Sequence, residues 1–391
     1  RFNSTDASVA IVDEKTGKAE VVGFGQGAIT AWYSGQIAIA RITSPWPNTI
    51  ADAVFAQAPR RNFIDELVLA QLRQLNLKPS PPCTDSEFIR RAHLDVIGAL
   101  PTPAETKAFL ASTAKDKRDK LIDQLLARPE FIDYWTYRWA DLFLISGKKL
   151  RPNALKAYYN WLRGEVAKNT PWDQIVRQVI TARGDSMVRG ATNFYAIHQE
   201  PETMAENVSQ AFMSLSIGCA KCHNHPLEKW TNDQYYSFAN LFARVRVKGW
   251  GGDARNGSGA RTLFIASRGD LLQPRTGKPQ LPAPLDGAPV ANPATDRRAV
   301  LADWLTSPDN PYFTRSIANR VWSNFFGRGI VNPVDDLRVS NPATNEPLLK
   351  ALATHLAKNK YDLKSLMRII LQSETYGRSS APLAENIGDT R

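Results

Sequence analysis

Two hydrophobic periods divide this chain. Near its start, apolar and polar positions alternate in short β-branched or aromatic runs, Ser8–Asp13, Ala19–Val22, Ala28–Tyr33 and Gln36–Arg41, the two-residue period of half-buried strands. Thr16-Gly17 and Ser34-Gly35 supply turns between them. Four such strands make about half of a β-sandwich. The chain starts at Arg1, with neither an initiating Met nor a leader, so it is expected to begin inside, or just after, a truncated sandwich. Pro45-Trp46-Pro47 then stops the ladder, because proline has no amide to donate.

From residue 62 the period becomes that of a helix. Asn62 caps a helix with Ile64, Leu67, Val68, Leu72 and Leu75 on one face. Asp85 opens a second, through Phe88, Ile89, Ala92 and Val96, and Thr102-Pro103-Ala104-Glu105 is a capping box with proline at the first helical position. The pattern predicts further helices near 116–127, 130–146, 153–168, 172–183, 201–217 and 232–244. A glycine-rich loop over 249–260 follows, then proline-rich irregular structure with a few short strands over 261–296. Helices return at 297–306, 311–325, 346–358 and 362–374. The fold class is therefore mainly α. A small partial β-sandwich (1–44) and a linker (45–61) precede a helical domain (62–248), a Gly/Pro-rich irregular connection (249–295) and a second helical domain (296–391).

Composition narrows the classes. Of 391 residues, 43% are hydrophobic and 22% charged, a globular balance that excludes wholesale disorder. No apolar run approaches the roughly 18 residues that would span a bilayer. The three cysteines, Cys83, Cys219 and Cys222, exclude a disulfide-built scaffold. Lysine and arginine total 49 against 38 acids, a net charge of +11 that suits an anionic partner such as acidic polysaccharide without choosing it. No helix-turn-helix, zinc-finger or RNA-binding signature accompanies the dispersed charge, so nucleic acid is not expected as a partner.

The chemistry concentrates at Cys219-Ala220-Lys221-Cys222-His223. C-x-x-C-H is the attachment pattern of haem c. Two thiols so spaced reach both vinyl groups on one porphyrin edge, and the next residue offers an imidazole to the iron. Other uses of the same residues stay open. A redox dithiol would sit at a helix start in a βαβ unit, a context missing here. A zinc site could draw on Cys219, Cys222, His223 and His225, but all four lie within seven residues and no second C-x-x-C exists. A disulfide or an incidental pair is the blandest reading.

Residues 212–245, FMSLSIGCAKCHNHPLEKWTNDQYYSFANLFARV, resemble the planctomycete-type cytochrome-c-like domain, whose hallmark is C-A-x-C-H-x-H-P followed by Trp and an aromatic helix. FIDELVLAQLRQLNLKPSP and IRRAHLDVIGALPTPAETKAFL are similar to that family's opening helices, although Arg90–Pro101 departs in part from its R-R-x-x-L-D-L-T-G-L-P-P pattern. Residues 296–380, from DRRAVLADWL to QSETYGRSS, resemble the companion planctomycete domain that usually follows. The first strands resemble the C-terminal half of a bacterial immunoglobulin-like domain, a module usual on exported proteins. These resemblances imply a helical c-type haem domain carrying one covalent haem and a location in the periplasm or at the cell surface, but no reaction.

His223 is then the proximal iron ligand through its place in the motif. His225, two residues on, cannot reach the opposite face of the same haem and is expected to pack or to hydrogen-bond a carbonyl or a propionate. The distal candidates are Met204 and Met213, on the preceding helix, and His198, just before it. Each also reads as an ordinary core or loop residue, and an open iron face is the remaining option. Trp135, Tyr137, Trp139 and Phe143 could wall a porphyrin or simply fill a core. Arg138, Lys148, Lys149 and Arg151 could pair with propionates or stay solvated. Asp335 and Asp336 lie in a polar loop that could bind a cation or hold turns, with Arg315, Arg320 and Arg328 available to bridge them. His355 and Cys83 read as structural.

Three functions follow from this reading. The first is an exported monohaem protein that passes electrons to a redox partner at the cell envelope. The second is a haem enzyme, peroxidase-like or acting oxidatively on polysaccharide. The third is an envelope structural or glycan-binding module in which the haem staples the fold.

Overall fold

The computed structural model describes residues 1–33, 36–198, 200–249, 259–290 and 296–387. The predicted Ser34-Gly35 turn and all but the ends of the predicted 249–260 loop lie outside them. The chain is mixed and mainly helical, 45% helix against 12% strand, with the strands in small sheets. Five strands come first: β1 (Phe2–Ser4), β2 (Ala10–Val12), β3 (Ala19–Val21), β4 (Gly25–Tyr33) and β5 (Gln36–Ser44). They form an antiparallel sheet in the order β1-β4-β5 and a separate β2-β3 hairpin. Alternation carried the long hairpin; β1 escaped it because three residues hold too little pattern.

Helices follow at α1 (Asp52–Ala56), α2 (Phe63–Leu75), α3 (Asp85–Ile97), α4 (Pro103–Ala111), α5 (Lys117–Ala127), α6 (Pro129–Leu142), α7 (Pro152–Ala167) and α8 (Trp172–Ile180). α1 falls inside the predicted linker. The caps read from sequence, Asn62 and Thr102, each close a reciprocal box at their helix starts, and Thr84, just before the Asp85 expected to open α3, does the same. α6 stops earlier than its apolar period suggested, with Leu144 in the left-handed region at φ 56°.

Beyond α8 run β6 (Gly184–Asp185), α9 (Asn193–Ala196), α10 (Pro201–Met213) and α11 (Asn232–Ala239). The strands β7 (Val245–Lys248), β8 (Thr262–Ile265), β9 (Leu272–Gln273) and β10 (Lys278–Pro279) then precede α12 (Arg298–Leu305), α13 (Phe313–Phe326), α14 (Glu346–Lys358) and α15 (Leu363–Leu371). β6, β8 and β7 form one small antiparallel sheet, and β9 pairs with β10. The sequence expected one helix over 201–217, but α10 ends at Met213. Ser214 turns left-handed at φ 54° and the buried Leu215 and Ile217 continue without helix, their apolar character having mimicked the period.

Two compact units result. One comprises Arg1–Phe131, Ala318–Leu356 and the chain from Lys364; the other comprises Ile132–Ile317 and Ala357–Leu363. In the first, the buried Asp65 accepts the backbone N–H and hydroxyl of Thr375 at 2.8 and 2.7 Å, and the Asn62 amide donates to Ile369 O at 2.9 Å. The core of the second is aromatic. Trp135, Trp139 and Phe143 are buried, with Trp139 5.2 Å from Trp172 and Phe143 5.8 Å from Phe212 between ring centroids, whereas Tyr137 faces solvent. Arg298, fully buried, is held by both carboxylate oxygens of Asp296 and lies 5.0 Å over the Tyr195 ring.

Candidate functional site

Cys219 sits on a 3₁₀ turn, Gly218–Lys221, in the second unit, and Cys222 caps its end. Both are exposed and free, while Ala220 between them is fully buried. The turn closes on itself through Ala220 N–H to Ile217 O at 2.9 Å.

His223 follows, exposed, with Nδ1 2.7 Å from the Asn224 carbonyl. A carbonyl only accepts, so Nδ1 is the donor of this bond. This is the second hydrogen bond by which a ligating imidazole is usually oriented. His225 uses its ring differently: Nδ1 accepts the Leu227 N–H at 3.1 Å, and its backbone N–H donates to Trp230 O at 2.8 Å, closing the loop.

The turn is gripped from below by α11. The Asn232 amide donates to the carbonyls of Ala220 and Lys221 at 2.8 and 2.9 Å, and the Asn232 backbone N–H donates to Asn224 Oδ1 at 3.0 Å. The Tyr236 hydroxyl also donates to Lys221 O at 3.3 Å. From α10, Glu202 approaches Lys221 Nζ at 3.9 Å, and Glu206 accepts the Tyr235 hydroxyl at 2.6 Å. Burial, then the Glu206 contact, pushes the Tyr235 hydroxyl up; burial, then Glu202 and Cys222, does the same to Tyr236. Both phenols are neutral at ordinary pH.

The distal candidates are buried, unlike the exposed thiols and His223. Glu202, Glu206 and Met213 share one face of α10 by their spacing of four and eleven residues, whereas Met204 points about 200° away from Glu202 at roughly 100° per residue. Met204 walls a cleft of 450 Å³ together with Val245, Arg246 and Asp270. Met213 is fully buried. His198 is 3% exposed; its Nδ1 accepts from the Asn207 amide at 3.3 Å, and its Nε2 is buried with no hydrogen-bond partner. Burial, then Lys149, brings its pKa down to about 4, so the ring is neutral.

Among the described residues no group of three or more His, Cys, Asp and Glu side chains is arranged to hold a metal ion. The four ligands named for zinc are thus not assembled, whereas haem attachment needs only the two thiols and one imidazole. Asp336 pairs with Arg338 at 3.0 Å, and its loop is tied by the Asn341 amide to Asp336 O at 2.9 Å, the turn-holding role. Lys148 and Lys149 are exposed and solvated. Cys83 is buried, its backbone N–H donating to Gly377 O at 2.8 Å.

Sequence reasoning missed Asn232 and Gln273. Asn232 reads there only as the start of a helix near 232–244, and Gln273 lies far along the chain with no motif around it. Its amide nevertheless donates to Asn232 Oδ1 at 2.6 Å.

Residues 63–247 match the family model PSCyt2, described as a protein of unknown function (DUF1549), and residues 297–390 match PSD1, described as a protein of unknown function (DUF1553). The two occur in the order of the planctomycete domain pair that the sequence resembles. No curated protein and no solved structure matches the chain.

Proposed function

We propose that the chain bearing this domain pair is an exported c-type monohaem protein that transfers electrons to a redox partner at the cell envelope. Cys219 and Cys222 are its points of covalent attachment and His223 Nε2 its proximal iron ligand. One observation carries the reading: both thiols are free and exposed, and the next residue is an imidazole whose Nδ1 already donates to a carbonyl. These are the residue types that haem c attachment uses. Bound haem supplies a one-electron couple. The polypeptide orients His223 through Asn224, keeps the thiols at solvent where attachment can reach them, and sets carboxylates at Glu202 and Glu206 beside the turn. Export is argued from the motif, because attachment of haem c takes place outside the cytoplasm, and from the immunoglobulin-like rhythm of the first strands. Among the described residues no helix is long and apolar enough to cross a membrane.

The test is a reduced pyridine haemochrome spectrum and an intact mass of the full chain, exported with a c-type maturation system. The expected result is one haem per chain and a c-type α-band; a mass without haem sinks the reading. A haem enzyme is the second reading. It is favoured by the contrast between the exposed His223 and the buried Met204, Met213 and His198, which leaves the iron's other face to a small molecule. Ferric protein that is low-spin and takes up neither cyanide nor peroxide eliminates it.

A further inference from the structure

The carboxamide of Asn232 has two donors and one acceptor side, and all are used. Its two N–H groups meet the carbonyls of Ala220 and Lys221, the two residues between the thiols, at 2.8 and 2.9 Å. Its Oδ1 accepts from Gln273 Nε2 at 2.6 Å. Flipping the amide would set an oxygen against two carbonyls, so its orientation is fixed. Gln273 is fixed in turn: its Oε1 accepts the Thr276 hydroxyl at 2.8 Å and the Gln280 amide at 3.2 Å, and its Nε2 also donates to Asp233. Asn232 is 3% exposed and Gln273 is fully buried. Water cannot replace these bonds without opening the site, and buried amides left unmatched are costly.

We infer that Asn232, locked by Gln273, is the positioning residue that presets the Cys219–His223 turn for haem attachment; this rests on the haem reading above. The thiols and His223 are all exposed, so packing around their side chains does little to hold them. The geometry of the motif is set instead through its backbone, from the buried side, where the Asn232 amide makes the two shorter bonds beside that of the Tyr236 hydroxyl. The lock makes a three-residue-spaced thiol pair on α11's flank depend on β9, far along the chain. It also tethers the segment after His223, since the Asn232 backbone N–H holds Asn224, whose carbonyl orients the imidazole.

Three variants of the full chain test this: Asn232→Asp, which puts an oxygen where the donor was; Asn232→Leu, which removes polarity; and Gln273→Glu, which removes the donor that fixes Asn232. Two readouts are taken, amide hydrogen exchange of the haem-free chain and haem per chain by intact mass after export with a maturation system. The expected result is exchange at Ala220 and Cys222 about tenfold faster, the loss of roughly one hydrogen bond, with α10 and α11 still protected and haem occupancy reduced severalfold. Normal exchange at the turn overturns the inference whatever the occupancy, as does faster exchange with full occupancy. Loss of protection across the whole second unit in all three variants also overturns it, because the amides would then support the fold rather than the turn. A parent chain with no haem refutes the haem reading instead, and the exchange data still judge the amide lock.

Discussion

His198 shows how burial alone sets chemistry at one residue. Its pKa falls from the ordinary value near 6.5 to about 4 because the charged ring would lose solvent and sit near Lys149. The unfolded chain therefore binds a proton first as pH falls, and stability of the second unit declines between about 6.5 and 4 by about 3 kcal/mol. His198→Phe keeps the ring that packs 5.6 Å from Phe194 and cannot titrate, so denaturant melts at pH 7 and pH 5 should differ less in the variant than in the parent. Asp95, in the first unit, runs the other way. Burial raises its pKa to about 6, only partly offset by the hydrogen bond from the Tyr376 hydroxyl at 2.8 Å. Here the folded chain holds the proton longer, so stability is lost as pH rises from about 4 to 6, by about 2 kcal/mol once solvent screening is allowed for. Asp95→Asn should flatten that slope, read by exchange protection in α3 against pH. Opposite slopes in the two units would appear in region-resolved exchange and nearly cancel in a single global probe.

At the scale of elements, caps rather than propensity decide where helices serve the site. Thr231 accepts the Gln234 N–H at 3.2 Å and its own N–H meets Gln234 Oε1 at 2.9 Å, so α11 starts at Asn232 and aims that residue at the turn. Thr231→Ala should cost about 1 kcal/mol and also lower haem occupancy. Thr84→Ala removes the equivalent box of α3, should cost about as much, and should leave occupancy unchanged. Equal occupancy in the two variants would deny α11 its special role. The early end of α10 matters in the same way. The left-handed Ser214 ends α10 before the motif, so Cys219 lies on a separate 3₁₀ turn that Cys222 caps.

At the scale of the molecule, the first unit joins residues that lie hundreds of positions apart. Asp65 takes donors from Thr375 and the Arg91 guanidinium donates to Tyr376 O at 2.7 Å, while Arg61 pairs with the nearer Asp119, 58 positions on, at 2.8 Å. A chain ending at Ile317 lacks the first two sets of contacts, so α2 and α3 should lose exchange protection and become the first sites of limited proteolysis, while α7 and α10 keep theirs. Protected α2 and α3 in that truncated chain would show that these distant bonds are dispensable. Asp65→Ala in the full chain strands the Thr375 amide and hydroxyl and should destabilise the first unit by about 3 kcal/mol, measured by denaturant unfolding.

Local pattern by itself determined most helices, the long hairpin, the Asn62 cap and the Thr102 capping box, because a periodic face and a cap depend on residues a few positions apart. It also singled out Cys219, Cys222 and His223, whose meaning lies in their spacing. It could not separate an aromatic core at Trp135, Trp139 and Phe143 from a porphyrin wall, since both need the same residues; burial against Trp172 and Phe212 shows the core. Nor could it rank Met204, Met213 and His198, whose directions depend on what α10 packs against. Only the tertiary structure decided that residues 62–131 are completed by the chain beyond 318, and that a glutamine on β9 secures the asparagine beneath the motif. Contacts of that range leave no period in the sequence, because the two partners meet only after the chain has folded.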